Sequence, residues 1–412
     1  MKRLLLLEES ERGAILVHVA VALLVLAAFA TFIFDFGMFW VSRRQAQNSA
    51  DAAAMAAAIA IAYDHADDSA DSFARDAALA VSQTNKVWGE QPVVDPATDI
   101  TFPVCPDGSS PCARVDVYRD SAHGNPVPMF FGRIVGMTTQ GVRATATAEA
   151  MAGNATECLK PWALIDRWGE HWANGKPKVG PWTVNSTFDK YKSNGDLDPK
   201  VTSPDVYTAP TGTGPGSGFA PLDAAKKYTA DFGMQLTLKT GGANLFNAGS
   251  FQALDLKCPG GACYADAIKH CVGITEIIGN AVTLETGNIT GKTKSGTYTD
   301  NDSLCKQDPG AYWDSSLNDG HGGVNGSAYG VSPRMVAIPL ISPDDLALAK
   351  NGKATGVPIL NIMGMFIECP PVVNPGPDTV IGRLALVPGT KVAGGGTVGT
   401  QSSFLKVIAL VR

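Results

Sequence analysis

Charged residues are scarce in this 412-residue chain. Asp, Glu, Lys and Arg make up 17% of it, against about a quarter in ordinary soluble proteins. The net charge is −6, and no run of basic residues is longer than two. These absences argue against a nucleic-acid-binding protein and against a polybasic lipid-binding patch. Glycine (44) and proline (26) are instead frequent, which is typical of a turn-rich β protein.

The chain also lacks the common catalytic and metal-binding motifs. It has no C-x2-C pair, no H-E-x-x-H and no G-x-S-x-G, so zinc and hydrolase chemistry are not indicated. Gly287–Thr293, GNITGKT, is one residue short of a phosphate loop, and the polar residues behind it do not predict a helix. Ser303–Lys306 and Ser403–Lys406 match S-x-x-K without the companion motifs of penicillin-binding enzymes. The sequence therefore predicts neither an enzyme nor a cofactor.

All eight cysteines lie beyond residue 104. An even number on one side of a long apolar segment favours disulfides in an oxidising compartment. Free buried thiols are the main alternative, and a metal site is a further one. Two short separations predict local bridges, Cys105–Cys112 and Cys258–Cys263. The pairing of the other four cysteines is left open.

The longest apolar run is Ala14–Phe34, AILVHVAVALLVLAAFATFIF, in which His18 is the single ionisable side chain. Its 21 residues extend about 31 Å as a helix, close to the thickness of a membrane's hydrocarbon core. A buried core helix and a cleaved secretory signal are the alternatives. The run lacks the polar face of a soluble helix, and it is longer than the roughly 7–15 apolar residues of a signal peptide. It therefore predicts one retained transmembrane helix.

The cysteines also predict the orientation of this helix. Basic residues flank the apolar run on both sides, with Arg12 before it and Arg43 and Arg44 after it, so loop charge does not decide the matter. Disulfides form outside the cytoplasm. We therefore expect a cytoplasmic N-terminus and a periplasmic or extracellular C-terminal bulk.

Helix-breaking residues are absent from about fifty residues after Met38. Gln45–Ala62 is dense in alanine, the strongest helix former, and predicts a helical stalk that continues the anchor. A second helix is expected to end near Gln83. Ala53 and Ala57 are candidates for a packing seam with a partner helix, because small side chains permit close approach. The alternative is that this face packs on the chain's own domain.

The predicted fold is a membrane-anchored α+β protein with a long N-terminal transmembrane or amphipathic helix, a small α+β unit and a mainly β, sandwich- or barrel-like C-terminal domain. The β part of this prediction is based on short strand-like segments that are separated by Gly, Pro and Asn turns. The predicted segments are a cytoplasmic leader at 1–13, a transmembrane helix at 14–40, an Ala-rich stalk at 41–87, an α+β unit at 88–152, a Trp/Gly/Pro-rich loop region at 153–218 and a β-rich periplasmic domain at 219–412.

One acidic loop, residues 188–207, is a candidate calcium site. Calcium takes six to eight oxygen ligands, which closely spaced Asp and Asn side chains in a flexible loop can supply. The residue order of an EF-hand is not met, so a plain polar turn is the alternative. The candidate ligands are Asp189, Asn194, Asp196, Asp198 and Asp205.

The N-terminal region resembles the N-terminal module of the TadE/TadG-like proteins, which belong to the bacterial Tad, or Flp pilus, assembly machinery. The apolar run is succeeded by Asp35-x-Gly37, by Arg43-Arg44-Gln45 and by an Asn-x-Ala-Asp-Ala-Ala-Ala segment. The order PMFFGRIVG, then VRATATAEA, is similar to the segment after that module in TadG-like chains.

The resemblance implies an inner-membrane protein with a large periplasmic part, which acts with other pilus-assembly proteins and needs no enzymatic activity. Gly13 is the possible processing site, because prepilin-type processing cuts after a glycine. His18 stands where prepilins have a glutamate, five residues after that glycine. The alternative function is a periplasmic or surface binding module for carbohydrate or calcium, formed by the Trp-rich segment Lys160–Trp182 and the acidic loop.

Overall fold

The protein folds into two compact units in the computed structural model. The first contains residues 1–61, 69–149 and 408–412, and the second contains residues 62–68 and 150–407. The structure describes residues 2–63, 70–105, 112–173, 176–177, 181–240, 246–257, 259–285, 289–376 and 378–411.

The first unit is built on one long helix, α1 (Lys2–Tyr63), which passes without interruption through the apolar run and the alanine-rich stretch. This confirms the long N-terminal helix that the absence of helix breakers predicts. A second helix, α2 (Ala70–Thr84), comes next, and Ala74 and Ala78 on its inner face are fully buried.

Short strands complete the first unit. They are β1 (Ile100–Thr101), β2 (Ala113–Arg119), β3 (Val127–Pro128), β4 (Thr139–Gln140) and β5 (Val142–Ala152). β2 pairs with β5 in one antiparallel register, from Ala113 opposite Ala148 to Arg119 opposite Val142, and β1 pairs with the other edge of β2. Buried and exposed residues alternate along β2, as expected for a sheet with one covered face.

The alanine-rich part of α1 covers the inner face of this sheet. Ala53 and Ala57 are 0% exposed and belong to one apolar cluster with Val115, Val117 and Ala146. A methyl side chain lets helix and sheet approach closely enough to exclude water. The structure thus shows packing on the chain's own domain, and the two residues are not available as a seam for a partner helix. The buried alanines of α1 in this unit are Ala46, Ala50, Ala53, Ala54, Ala57, Ala58 and Ala60.

Replacing Ala53 with leucine should destabilise the first unit by about 1–3 kcal/mol, because the larger side chain does not fit a closely packed contact. Denaturant unfolding of the full chain in detergent measures this loss. Met55→Leu is the matched control, since Met55 is 38% exposed on the same helix and should change stability by less than about 0.5 kcal/mol. Equal stability of the two variants would contradict the packing of this helix on the sheet.

The second unit is mainly β. Its helices are α3 (Gly261–Lys269), α4 (Thr290–Lys294), α5 (Leu304–Gln307) and α6 (Pro343–Lys350). Its strands are β6 (Ala155–Thr156), β7 (Trp162–Ile165), β8 (Trp172–Ala173), β9 (Lys176–Pro177), β10 (Gln235–Thr240), β11 (Ser250–Asp255), β12 (Glu276–Ile277), β13 (Ala281–Leu284), β14 (Tyr312–Asp314), β15 (Gly323–Asn325), β16 (Met335–Ile341), β17 (Val357–Pro358), β18 (Asn361–Ile367), β19 (Thr379–Leu384) and β20 (Val387–Pro388). The last strand, β21 (Leu405–Val411), begins in the second unit, and its residues from 408 onward belong to the first.

Six of these strands close into a barrel. Their order is β10-β19-β18-β16-β7-β11, and β11 pairs back with β10. The pairs β7–β16 and β10–β11 are parallel, and the other four are antiparallel. Every second side chain of a barrel strand points inward, and Leu236, Leu238 and Val380 are among the apolar residues that fill one buried cluster. The structure confirms a mainly β C-terminal region and selects the barrel over the sandwich.

Disulfides brace both units. Among the described residues, Cys105 is bonded to Cys112, Cys158 to Cys271 and Cys305 to Cys369. Cys263 is disulfide-bonded as well. The predicted bridge Cys258–Cys263 involves Cys258, which lies outside the described residues.

Two buried lysines should make the free energy of unfolding of the second unit depend on pH in the alkaline range. The Lys160 ammonium group donates to the carbonyl oxygens of Ala267 at 3.3 Å and His270 at 3.1 Å. Burial lowers the pKa of Lys160 to about 8, and burial together with the charge of Lys226 lowers the pKa of Lys406 to about 8. In the unfolded chain both groups have the ordinary lysine pKa of 10.5 and stay protonated until the pH approaches that value.

The unfolded state therefore binds more protons than the folded state between pH 8 and 10, and we expect the second unit to become more stable as the pH rises through this window. Each lysine should contribute about 2–3 kcal/mol to the rise. Lys160→Met should flatten the pH dependence of the denaturant midpoint, whereas Lys353→Met, at an exposed site, should leave it unchanged. A midpoint that falls with pH in the wild-type chain would refute this reasoning.

Candidate functional site

The apolar run of α1 is exposed at every position whose side chain the structure describes. Among the described residues, the segment Ile15–Tyr63 is the one helix long and apolar enough to cross a membrane, and none of its most apolar window is buried. Leu16, Leu24 and Phe32 are 73, 71 and 65% exposed. The buried core-helix interpretation is therefore wrong, because such a helix would be covered by its own domain. The exposed surface is what a lipid-embedded helix requires.

Asp35, the first residue after this run, is buried and binds a distant loop. Its two carboxylate oxygens accept hydrogen bonds from three consecutive backbone amides: Phe130 at 3.0 Å, Phe131 at 3.1 and 3.3 Å, and Gly132 at 2.6 Å. Asp35 is 8% exposed. A buried carboxylate needs such donors, because an unpaired charge away from water is costly. These hydrogen bonds tie the C-terminal end of the apolar run to a segment about a hundred residues further along the chain.

The bound segment, called here the Phe130 loop (Met129–Thr138), is a hairpin tip between β3 and β4. Its ends are held by the antiparallel β3–β4 pair and by the Met129 amide, which donates to the Thr138 carbonyl at 3.0 Å. A 3-10 turn over Gly132–Val135 begins at Gly132, the last of the three residues whose amides Asp35 binds. A Cβ at Gly132 would lie 2.8 Å from the Met137 carbonyl oxygen, so only glycine fits where the loop is tightest.

The exposed apolar run, Asp35-x-Gly37 and most of the alanine face that packs on the sheet lie within one segment near the N-terminus. Residues 13–60 match the Tad family model, putative Flp pilus-assembly TadE/G-like. The match confirms the resemblance that the sequence pattern indicates, and it makes pilus assembly the process with which this segment is associated. No curated protein and no solved structure matches the chain.

The TadE/G-like segment, residues 13–60, begins at the possible processing site. Gly13 lies inside α1 and is exposed, and a Cβ added there would meet nothing within 4 Å. The helix thus continues through this glycine without a packing reason for it. Cleavage after Gly13 stays a prediction, and mass spectrometry of the mature N-terminus measures it.

The structure brings two of the five predicted calcium ligands together. Asp189 and Asp205 are linked by reciprocal hydrogen bonds, in which each backbone amide donates to the other residue's carboxylate, at 3.0 and 3.1 Å. The second oxygen of Asp205 accepts from the His171 amide at 2.8 Å. These bonds brace three loop segments against one another, which is the role of a polar turn.

The other three predicted ligands lie at an exposed turn. The Asn194 amide group donates to Asp196 at 2.7 Å, and the Asp198 carboxylate accepts from the Lys200 backbone at 3.0 Å. Within the described part of the chain, the one group of three Cys, His, Asp or Glu ligand atoms lying within 4.8 Å is Cys105, Cys112 and Glu149, and its sulfurs form a disulfide. The calcium hypothesis therefore stays a prediction, which melting with calcium against EDTA would decide.

The tryptophan-rich segment contributes to the interior of the second unit. Trp162 and Trp168 are 0 and 2% exposed, and the Trp168 ring meets the rings of Trp182 and Phe188 edge-on at 6.0 and 5.4 Å. A carbohydrate platform needs exposed rings, which these two do not offer. The side chain of Trp172 lies outside the described residues, and the carbohydrate hypothesis stays a prediction.

The near-match to a phosphate loop is structural over residues 289–293, and its first two residues lie outside the described part of the chain. Contrary to the expectation from the polar residues behind it, α4 (Thr290–Lys294) forms here and continues into a π-helical turn over Ser295–Thr299. They form because they pack on the second unit's core, where Tyr298 is buried. Thr293 is fully buried, and its hydroxyl bonds to Tyr264 and to the Ile289 carbonyl. That hydroxyl is not available to a phosphate-bound metal.

Proposed function

We propose that this protein is a single-pass, non-enzymatic component of a Tad, or Flp-type, pilus-assembly system in the bacterial inner membrane. Its N-terminus would lie in the cytoplasm and its two folded units in the periplasm. The match of residues 13–60 to the TadE/G-like model carries the proposal. Its mechanism is spatial: one helix holds a β-rich body at the outer face of the membrane, where other pilus-assembly proteins can bind it.

Two observations support this placement. The apolar run is long enough to cross the membrane and is exposed along its whole described length. The described cysteines of both units are disulfide-bonded, which is typical of proteins in an oxidising compartment such as the periplasm.

Deletion of the gene should abolish or strongly reduce pilin in the sheared surface fraction of the native bacterium, and the wild-type chain should restore it. Met55→Leu, a substitution at an exposed site, should restore pili equally well and controls for expression. Normal amounts of surface pilin in the deletion strain would refute a role in assembly.

The orientation has its own test. In intact spheroplasts, a thiol reagent that cannot cross membranes should label Gln83→Cys, which is exposed near the end of α2, and should not label Leu5→Cys in the leader. After lysis Gln83→Cys should still react, and Leu5→Cys should react in every chain that retains its leader. Labelling of Leu5→Cys alone in intact spheroplasts would mean that the chain has the opposite orientation.

A further inference from the structure

The Phe130 loop exposes several large apolar side chains at its tip. Phe130, Phe131, Ile134 and Met137 are 55, 38, 78 and 55% exposed. All four lie within a loop of ten residues that also carries an exposed Arg133. Single exposed apolar residues are common on soluble proteins, but four large ones within ten residues of one loop mark a surface that contacts another apolar phase.

The location of the loop identifies that phase. Asp35 holds the amides of residues 130–132 directly beside the outer end of the apolar run. The ring of Phe131 lies 5.9 Å from the ring of Phe34, the last residue of that run, in an edge-to-face contact. The exposed surface of the loop is therefore continuous with the exposed surface of the helix, and whatever surrounds Phe34 also reaches Phe131.

Neighbouring side chains fit the boundary between lipid and water. Phe32, Phe36 and Trp40 form a ladder of ring contacts at 5.7 and 6.2 Å along the same part of α1. Aromatic rings collect at the level of the lipid headgroups. Arg133 can place its apolar stem beside lipid and its guanidinium group at the phosphates, as long basic side chains do near membrane surfaces.

We propose that the Phe130 loop is a second membrane contact, whose apolar tip enters the outer leaflet beside α1. This inference rests on the proposed function only in that α1 spans the membrane. The loop gives the first unit two attachments instead of one. A unit held at two points cannot turn freely about the helix axis, so the contact fixes which surface the first unit presents to its partners.

The experiment places an environment-sensitive fluorophore on single cysteines of the full chain in nanodiscs. The described native cysteines are disulfide-bonded, so an introduced cysteine supplies the reactive thiol. Ile134→Cys probes the loop, and Val21→Cys probes the middle of the span. Gln83→Cys is the control in water, because the Ser82 carbonyl accepts from the Ser49 hydroxyl, which puts this site about 21 Å beyond Asp35 along α1.

Lipids that carry a bromine quencher should remove most of the emission at residue 21, a substantial part at residue 134 and almost none at residue 83. At residue 134, a quencher near the headgroup should act more strongly than one near the bilayer centre. Ile134→Cys behaving like Gln83→Cys while Val21→Cys is quenched would overturn the loop contact and leave the span intact. Absence of quenching at residue 21 as well would overturn both.

One further result would also count against the inference. Emission at residue 134 that is shifted to the blue but insensitive to brominated lipid would mean that protein, and not lipid, covers the loop. A second variant, Phe130→Ser in the Ile134→Cys background, provides an internal check, because loss of one apolar side chain should move the probe outward and weaken its quenching by lipid.

Discussion

Replacing Asp35 with alanine should release the Phe130 loop from α1. Three backbone amides lose their acceptor at once, and hydrogen bonds to a charged group contribute about 1.5–3 kcal/mol each. Because water can replace part of what is lost, we expect the free energy of local opening to fall by about 3 kcal/mol, roughly a hundredfold in the opening equilibrium. Amide hydrogen exchange of Phe131 and Gly132 in the full chain measures this change.

Two control variants make the result specific to this carboxylate. Asp35→Asn keeps one oxygen as an acceptor and should have an intermediate effect. Asp76→Ala removes an exposed carboxylate from α2 of the same unit and should leave exchange in the loop unchanged. Unaltered protection of residues 131 and 132 in the Asp35→Ala variant would mean that the β3–β4 pair alone holds the loop.

Removal of the Cys158–Cys271 disulfide should destabilise the second unit by about 4–5 kcal/mol. The bridge closes a loop with a sequence separation of 113, and the chain entropy that a crosslink removes from the unfolded state grows with the length of that loop. The double variant Cys158→Ser, Cys271→Ser would therefore lose a large part of the roughly 5–15 kcal/mol by which folded domains are typically stable. Denaturant unfolding monitored by the fluorescence of the buried Trp162 and Trp168 reports on this unit.

The short disulfide is the matched comparison. Cys105–Cys112 has a sequence separation of 7, and its loss should cost about 2 kcal/mol by the same relation. This bridge belongs to the first unit, so its removal should leave the tryptophan signal of the second unit unchanged. A larger effect from the short bridge than from the long one would contradict the loop-length argument.

The acidic loop shows that residue types and spacing alone do not determine whether carboxylates form a metal site. In the sequence, the carboxylates of Asp189 and Asp205 have a spacing that is compatible with a cation. In the structure each accepts a hydrogen bond from the other's backbone amide. The side-chain donors and acceptors of a loop are visible in its sequence, whereas the backbone groups that satisfy them are brought there by the fold.

Asp35 illustrates the opposite case, a residue whose role the sequence understates. Both Asp35-x-Gly37 and PMFFGRIVG are visible in the sequence, and each is part of the resemblance to TadE/TadG-like chains. Their contact joins positions that are 95 residues apart, and no local pattern records such a separation. A negative charge directly after an apolar run was the available signal, because a carboxylate in that position needs a partner.

The amino-acid sequence by itself determined the features that depend on residues close together in the chain. The apolar run, the absence of helix breakers and the alanine content specified one continuous helix, and the turn-rich composition specified a β body. These features result from the periodicity of apolar residues, the helix propensity of each residue and the length of the apolar run, all of which act between residues near one another in the chain.

Only the tertiary structure determined which residues far apart in the sequence contact one another. Folding closed six strands into a barrel, paired Cys158 with Cys271, directed Ala53 and Ala57 inward and seated the Phe130 loop on Asp35. The physical reason is that such contacts are selected by the packing of the entire molecule, where the cost of ordering each long loop must be offset by burial and hydrogen bonding elsewhere.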